Sequence, residues 1–211
     1  MKLYDCQVAP NPRRARMFLA EKGIEIEKIE IDILGGENLQ DEFLAINPRG
    51  LLPVLELDDG TRIDEAMAIC RYFEEVQPEP ALLGRDLREK AIVTMRQRKM
   101  EFDGMISSSE VFRNQHEQFL RRSIPGGGKD EIPAIPGLIE RGTQTLDRFF
   151  WWLEEYLGEG PYLAGDQFTM VDITAICAIG FAAWSDIHIP DENNKTKKWY
   201  EEVSARPSAE A

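Results

Sequence analysis

The apolar and polar positions of the chain change their period near residue 80. Residues 24–33, I-E-I-E-K-I-E-I-D-I, alternate along most of their length, which predicts a half-buried strand. After residue 84, apolar residues recur at the spacing of helices instead. The segments predicted before residue 80 are strands at 2–6, 24–33, 51–57 and 61–63, helices at 12–22 and 67–76, and a helical turn at 41–46.

The order of these segments is that of a thioredoxin-like α/β unit with a mixed sheet, because two strands joined through a helix are followed by a hairpin and a last helix. Two prolines within residues 77–80, Q-P-E-P, stop that last helix. We therefore predict a thioredoxin-like domain at residues 1–78, a linker at 79–84 and an all-helical domain at 85–211.

The helical half begins with an unusually long stretch in which apolar residues recur at helical spacing. Its predicted elements are a long helix over residues 86–120, a loop rich in glycine and proline over 123–137, and a helix over 138–157. Thr169 and Asp172 fit a capping box, in which each side chain bonds the backbone of the other residue. The helix behind this box, residues 173–184, is apolar all round and is expected to be buried.

Residues 47–66, N-P-R-G-L-L-P-V-L-E-L-D-D-G-T-R-I-D-E-A, combine two features that suit a peptide ligand. Pro53 begins a strand, and a cis bond before it would leave the N–H and C=O of Leu52 free to pair with an extended peptide. Glu65 and Ala66 present N–H groups at a helix N-terminus, which suits a carboxylate. The same residues also fit an edge strand, a tight turn and an ordinary helix, so spacing alone leaves both interpretations open.

The segment N-P-R-G-L-L-P, followed by I-D-E-A, resembles the glutathione-binding half of the soluble glutathione transferases. The pattern of that family is N-P-x-G-x-V-P, then a strand pair, an acidic residue and serine. Leu52 stands here where valine is usual, and Ala66 where serine is usual. A second segment, A-G-D-Q-F-T-M-V-D at residues 164–172, is similar to the signature A-G-x-x-x-S/T-x-A-D in the family's all-helical domain. The two segments stand in the family's order, so the resemblance covers nearly the whole chain.

The resemblance implies that glutathione is the co-substrate and that it binds along residues 52–66. Leu52 and Pro53 would hold its backbone, and Glu65 and Ala66 its γ-glutamyl carboxylate. The family is dimeric, so a homodimer is expected.

The other carboxylate of glutathione is held, in this family, by a side chain in the loop before the N-P-x-G motif. Asn38 matches the commonest position, and Gln40 lies nearby. Neither side chain is charged, and both also fit ordinary loop residues.

The group that activates the thiol is expected where the first strand meets the first helix. Residues 7–14, Q-V-A-P-N-P-R-R, contain no Tyr, Ser, Thr or Cys. Some bacterial members of the family carry T-P-N there, and A-P-N resembles that form without the threonine hydroxyl. Asn11 is therefore the candidate catalytic residue, donating its amide N–H to the sulfur. The alternative is an ordinary N-cap before Pro12.

Two other features of this region have competing interpretations. Cys6 lies at the end of the strand, before the helix N-terminus, so a buried structural thiol is expected rather than a redox nucleophile. Arg13, Arg14 and Arg16 form a basic cluster that could balance ligand charge, although such arginines are more often a solvated helix face or a dimer contact.

Composition narrows the partners and the compartment. A net charge of −13 argues against nucleic acid and anionic membranes as partners. The three cysteines are far apart and no metal-ligand spacing occurs, so we expect no metal, no disulfide framework and a cytoplasmic location. Residues 1–5 already contain the charged residues Lys2 and Asp5 and do not begin the apolar region of a signal peptide. The most apolar run, residues 171–184, is too short to span a bilayer.

The predicted function is that of a glutathione transferase acting in detoxification, in which the activated thiolate attacks a small apolar electrophile. Two alternatives stay open: a non-catalytic module that binds glutathione or a protein, and a glutathione-dependent disulfide or peroxide reductase. The missing hydroxyls at Ala9 and Ala66 favour the non-catalytic module.

The electrophile is expected between the two domains. Its site would be formed by the loop after the first strand, the long helix around residues 102–112 and the loop at 123–137. The candidate wall residues are Met100, Met105, Phe112 and Trp184, although Met and aromatic residues at helical spacing more often belong to the core.

Overall fold

The computed structural model describes residues 1–158 and 160–211. The elements of its first half are β1 (Lys2–Asp5), α1 (Pro10–Lys22), β2 (Glu27–Glu30), α2 (Asp41–Leu44), β3 (Val54–Glu56), β4 (Arg62–Asp64) and α3 (Ala66–Val76). The four strands form one sheet in the order β2-β1-β3-β4. β1 pairs in parallel with β2 and antiparallel with β3, and β3 pairs antiparallel with β4. The predicted thioredoxin-like arrangement with a mixed sheet is confirmed.

The strand predicted at residues 24–33 is shorter in the structure. Only its centre forms β2, which pairs along its whole length with β1. Because β2 lies at the edge of the sheet and β1 ends at Asp5, no further strand residues are available to extend the ladder. The flanking isoleucines still pack inward, and Ile31 is only 5% exposed. The prediction of a strand is thus confirmed, whereas its predicted length was wrong.

α1 begins earlier than its sequence pattern predicts. The helix starts at Pro10 rather than at Pro12, and Ala9 is its N-cap. Proline fits this first turn because its fixed φ is helical and its missing N–H would have had no partner. Gly23 ends the helix with a left-handed φ of 64°. The early start places Asn11 inside the first turn.

The hairpin of β3 and β4 leads directly into α3. Gly60 adopts a φ of 84° in its turn, as the D-D-G sequence predicts. Asp64 is the last residue of β4 and Ala66 the first of α3, so only Glu65 separates strand from helix. Glu65 itself has a φ of 66°, which is rare for a residue with a side chain.

The second half is helical, as predicted. Its elements are α4 (Leu87–Lys99), a π-helical segment (Met100–Ile106), α5 (Ser107–Gln115), α6 (Pro136–Tyr156), α7 (Met170–Ala183) and α8 (Asn194–Ser204). The first three follow without a break and form the long helix, which ends at Gln115 and not at residue 120 as predicted. A Cβ at Gly104 would come within 2.9 Å of side-chain atoms of Phe149 and Ala178. The glycine therefore lets α6 and α7 pack closely against the π-helical segment.

One hydrophobic core joins the two halves. Leu3 and Phe18 of the first half belong to the same buried cluster as Phe149 and Ile176 of the second. α7 contributes to this core on all sides, which confirms the prediction that it is buried. The proposed domain boundaries, residues 1–78, 79–84 and 85–211, stay a prediction.

The segment between the halves is fixed to α1 by one buried lysine. Nζ of Lys22 donates to the carbonyl oxygens of Gln77, Pro78 and Pro80, at 2.8, 3.1 and 2.6 Å. It also forms an ion pair of 2.6 Å with Glu74. The predicted linker is thus held against the sheet half at its start.

Thr169 and Asp172 form the predicted capping box at the start of α7. The Asp172 carboxylate also accepts the backbone N–H of Leu163 and the indole N–H of Trp199, each at 3.0 Å. Burial raises the pKa of Asp172 to about 6, against these donors, which lower it. A single carboxylate therefore ties α7 to the preceding loop and to α8.

Among the helices of residues 1–158 and 160–211, none combines the length and the hydrophobicity that a bilayer crossing requires.

Candidate active site

A cavity of about 310 Å³, called here the peptide cavity, lies between the sheet half and the long helix. Three separate segments of the sheet half line it: the start of α1, the loop before β3, and the junction of β4 with α3. The opposite wall comes from α4 and the π-helical segment. The fold brings together here five of the seven site residues predicted from the sequence, namely Asn11, Leu52, Pro53, Glu65 and Ala66.

The backbone of Leu52 is available for pairing. The Leu52–Pro53 peptide bond is cis, as expected, and it lies immediately before β3. Within the part of the chain that the structure describes, neither the N–H nor the C=O of Leu52 forms a hydrogen bond. An extended peptide in this cavity can therefore pair with both groups, as in a β-ladder.

The β4–α3 junction presents the start of a helix to the same cavity. Ala66 is the first residue of α3, and it is 3% exposed. The first N–H groups of a helix have no partner within it and carry positive partial charge, so they suit a carboxylate. Glu65 is exposed, and its carboxylate lies 3.8 Å from Nη1 of Arg49. Backbone strain of the kind seen at Glu65 is concentrated at functional sites.

Asn11 lies at the mouth of the peptide cavity, as the second residue of α1. The alternative interpretation of Asn11 as an N-cap is wrong, because Ala9 is the N-cap and Pro10 precedes Asn11 in the helix. Its side chain is exposed, and Oδ1 accepts a hydrogen bond of 2.9 Å from Nη1 of Arg14. The amide oxygen is thereby engaged, which leaves the NH₂ group as the free end of the side chain.

Arg14 is a site residue that sequence reasoning misjudged. It is 5% exposed and donates to Glu101 at 2.7 Å and to Thr174 at 3.2 Å, besides Asn11. Arg16 is 2% exposed and pairs with Asp5 at 2.6 Å. The interpretation of these arginines as a solvated face or a dimer contact is therefore wrong for both.

The two loop residues predicted for the far carboxylate, Asn38 and Gln40, do not line the peptide cavity. Asn38 is buried, and its Nδ2 donates to the carbonyl of Gly50 at 2.7 Å. Its Oδ1 is buried without a partner among the described residues. Asn38 lines a second, smaller cavity of about 140 Å³, the middle cavity, together with Asn11 and Leu52. Gln40 is exposed, reaches back to the Gly36 carbonyl at 3.5 Å, and lines neither cavity.

A third cavity, of about 450 Å³, is lined mainly by apolar residues and is called here the apolar cavity. Its residues are Cys6, Val8, Ala9, Pro10, Ile33, Leu34, Phe112, Arg113, His116, Gln118, Phe119, Phe181 and Trp184. Two of the candidate wall residues, Phe112 and Trp184, are among them. Met105 lines the peptide cavity instead, and Met100 is buried in the core at 1% exposure. The predicted loop at 123–137 lines the middle cavity.

The start of α1 joins the three cavities. Ala9 and Pro10 line the apolar and middle cavities, and Asn11 lines the middle and peptide cavities. A group bound at Asn11 therefore lies between a polar, peptide-sized site and an apolar one.

Cys6 is buried at 2% exposure, which confirms the prediction of a structural thiol. Burial raises its pKa, so its thiolate is disfavoured. Cys70 and Cys177 are buried as well, and burial raises their pKa values to about 12 and about 11. None of the three is suited to be a redox nucleophile.

Comparison with known families and structures identifies the chain. The family model "Glutathione S-transferase, N-terminal domain" matches residues 8–76, and "Glutathione S-transferase, C-terminal domain" matches residues 138–207. Glutathione S-transferase 2 of Saccharomyces cerevisiae is 34% identical over 99% of this chain and 87% of that protein. The chain belongs to the glutathione S-transferase family, as the two sequence motifs predicted.

Solved structures agree over the full length. A glutathione S-transferase domain-containing protein of Marinobacter aquaeolei VT8 is 34% identical, covers 99% of both chains and superposes with a TM-score of 0.89. A glutathione S-transferase of class Gtt2 from Vibrio parahaemolyticus is 35% identical over 99% of this chain and 95% of its own, with a TM-score of 0.82. The two-part architecture is therefore that of the family.

Proposed function

We propose that the protein is a glutathione transferase. It binds glutathione in the peptide cavity, and the glutathione thiolate attacks an electrophile bound in the apolar cavity. The observation that carries this proposal is the convergence of Asn11, Leu52 and the Glu65–Ala66 junction on one cavity. These groups come from three separate segments, and each offers the kind of contact that one part of glutathione needs.

In the proposed binding mode, the cysteinyl residue of glutathione pairs with the N–H and C=O of Leu52, beside Pro53. The γ-glutamyl carboxylate accepts the N–H groups of Glu65 and Ala66 at the start of α3. The glycyl carboxylate extends toward the middle cavity, where Asn38 is the candidate partner. Gln40 stays a weaker candidate, because its side chain lies outside that cavity.

The thiol must then be ionised. A free thiol with a pKa of about 8.5 is only slightly ionised at neutral pH. Lowering that pKa by about two units requires about 2.7 kcal/mol of selective stabilisation of the thiolate. The positive end of α1 and one charge-assisted hydrogen bond from Asn11 can supply energy of this size.

Backbone amides can contribute little at this helix terminus. Pro10 and Pro12 have no N–H, and the N–H of Arg13 already donates to the Ala9 carbonyl at 3.1 Å. In the first turn of α1, this leaves the backbone N–H of Asn11 and its side-chain amide. We therefore favour the Asn11 side chain over backbone amides as the main hydrogen-bond donor to the thiolate.

The test is a titration with glutathione followed by ultraviolet difference absorbance of the thiolate across about pH 5–9. An apparent pKa well below the free value, with turnover of 1-chloro-2,4-dinitrobenzene, supports a transferase. Binding with an unchanged pKa and no turnover supports the second candidate, a non-catalytic binding module, which the missing hydroxyls at Ala9 and Ala66 favour. No binding at all would overturn the assignment of Leu52, Pro53, Glu65 and Ala66.

The remaining proposals concern the oligomeric state, the cellular compartment and the biological role of the protein. We propose a homodimer in the cytoplasm that acts in detoxification, on the basis of the family resemblance. A light-scattering mass of twice 24.1 kDa would support the dimer, and a monomer mass would contradict it.

A further inference from the structure

Two arginines flank one aromatic ring at the boundary between the middle and apolar cavities. The guanidinium carbon of Arg113 lies 4.8 Å from the ring centroid of Phe119, and that of Arg122 lies 5.0 Å from it. Arg113 lines both cavities, and Arg122 lines the middle one. α5 supplies Arg113, a 3₁₀ helix (Glu117–Phe119) supplies Phe119, and the turn after it supplies Arg122.

Neither arginine has a carboxylate partner among the described residues. Nη2 of Arg113 donates to the backbone carbonyl of Arg122 at 2.5 Å, and its Nε is buried without a hydrogen bond. Burial and the like charge of Arg122 lower the pKa of Arg113 to about 10, so the side chain is still cationic at neutral pH.

Two buried arginines of the described residues have carboxylate partners, whereas Arg113 is half-buried. Arg16 forms an ion pair of 2.6 Å with Asp5, and Arg14 one of 2.7 Å with Glu101. Charge buried without a partner is costly, and a bound anion would remove that cost. Arg113 thus stands out in a chain whose net charge is −13.

The single charge of the described residues that lines the apolar cavity points to an acidic ligand, whereas the charge of the middle cavity also serves the glycyl carboxylate of glutathione proposed there. Within the described residues, Arg113 is the only lysine, arginine, aspartate or glutamate that lines the apolar cavity. In the middle cavity, Arg49, Arg113 and Arg122 face one acid, Asp130. A ligand with an apolar body and one acidic group fits such a boundary, because the body fills the apolar walls and the acid reaches the guanidinium.

We propose that the second substrate carries a carboxylate and that Arg113 binds this group, so that the protein prefers aryl or alkenyl electrophiles with an acidic substituent. Arg122 adds to the positive potential without itself lining the apolar cavity. This inference rests on the proposed function and narrows its substrate class.

A matched pair of probes tests it: 4-chloro-3,5-dinitrobenzoate and the corresponding benzamide. In both reactions the glutathione sulfur forms a bond to the ring carbon that bears chlorine, chloride leaves with the bonding electron pair, and the thiol proton passes to solvent. After each kcat/KM is divided by the uncatalysed second-order rate constant of the same probe with glutathione, the value for the acid should be at least about tenfold above that for the amide, the value of one good charge-assisted hydrogen bond.

The Arg113→Gln variant should abolish this preference by raising KM for the acid much more than KM for the amide or KM for glutathione. Arg113→Lys should keep part of the preference, because a charge remains without the planar fork. Arg121→Gln is the control, since Arg121 is exposed, is paired with Glu131 and lines none of the three cavities.

Three results would overturn the inference. Equal use of the two probes by the wild type would contradict the preference for an acidic substrate, while the proposed transferase function would stand. A rise in KM for glutathione in Arg113→Gln, with the acid–amide ratio unchanged, would assign the arginine to glutathione instead. Turnover of neither probe, with 1-chloro-2,4-dinitrobenzene still used, would remove this inference and leave the proposed function, whereas turnover of none of the three would remove both. If Arg113→Gln does not fold, Arg122→Gln should lower the acid–amide ratio by about twofold to fivefold through its weaker, screened charge.

Discussion

Oδ1 of Asn11 accepts a hydrogen bond of 2.9 Å from Nη1 of Arg14, one turn further along α1. Arg14 is in turn held by Glu101 of the π-helical segment and by Thr174 of α7. The orientation of an exposed amide in the sheet half is therefore set by contacts with the helical half. Preorganisation of this kind lowers the cost of presenting a donor to a charge that develops in the site.

Replacing Asn11 with Ala should lower kcat/KM for a generic electrophile by about tenfold or more, because the thiolate loses its main donor. The apparent pKa of bound glutathione, measured from its thiolate absorbance, should rise toward its free value. Stability should change little, since the side chain is exposed. Gln7→Ala is a matched control: it removes an exposed amide from the loop just before α1, outside the three cavities. A rate of Asn11→Ala within about twofold of that of the wild type would contradict the catalytic role of Asn11.

Replacing Arg14 with Gln should affect both stability and activity. Loss of the pair with Glu101 should lower the free energy of unfolding by about 3 kcal/mol, the lower end for a broken buried ion pair, because Arg98 also contacts Glu101. Urea unfolding measures this change.

A double-mutant cycle separates the positioning role of Arg14 from its structural role. If Arg14 acts through Asn11, then Asn11→Ala should cost much less in kcat/KM when Arg14 is already Gln than it does in the wild type. Effects that simply add would show that Arg14 serves the fold alone.

Asp172 predicts a pH dependence of stability. Its pKa is about 6 in the folded protein, above the ordinary value of 3.8, so the folded state binds this proton more tightly. The resulting contribution to the free energy of unfolding is complete below pH 3.8 and is lost as the pH rises through about 6. The loss amounts to about 3 kcal/mol for a shift of about two units.

Asp172→Asn has no carboxyl group to titrate at this position. Comparing its urea unfolding with that of the wild type therefore isolates the contribution of Asp172 to the pH dependence of stability. The stability of the wild type minus that of the variant should fall by about 3 kcal/mol between about pH 4 and pH 7. Asp147→Asn, at an exposed position of α6, is the control and should show no such trend. A difference that is constant with pH, or that grows, would mean that the carboxylate is ionised throughout this range.

The parts of the site that were predictable depend on local chemistry. The turn at Gly60, the start of α3 after Glu65 and the capping box of Thr169 and Asp172 are each specified by residues a few positions apart. The five residues that the fold gathers around one cavity were located through the resemblance of the segments N-P-R-G-L-L-P, I-D-E-A and A-P-N to the family.

The parts that were not predictable depend on distant partners. The burial of Arg14 follows from Glu101, which is remote in sequence, and a run of arginines alone is typical of a solvated face. The length of β2 follows from that of β1, and the π-helical segment accompanies the close approach of Gly104 to Phe149. Local periodicity contains no information about such contacts.

Ala66 offers a test in which function should improve. The residue is the first of α3 and lines the peptide cavity, so a hydroxyl there would add one donor to the proposed carboxylate site. Ala66→Ser should lower the Kd for glutathione by about tenfold or more, the value of a hydrogen bond to a charged group. kcat should be unchanged, because the carboxylate lies far from the reacting sulfur and the added contact is the same in the ground and transition states. Calorimetric titration with glutathione measures the affinity, and Ala68→Ser, at an exposed position of the same helix, is the control. A weaker affinity in Ala66→Ser, with the fold intact, would mean that the γ-glutamyl carboxylate binds elsewhere and that the proposed direction of glutathione along residues 52–66 is wrong.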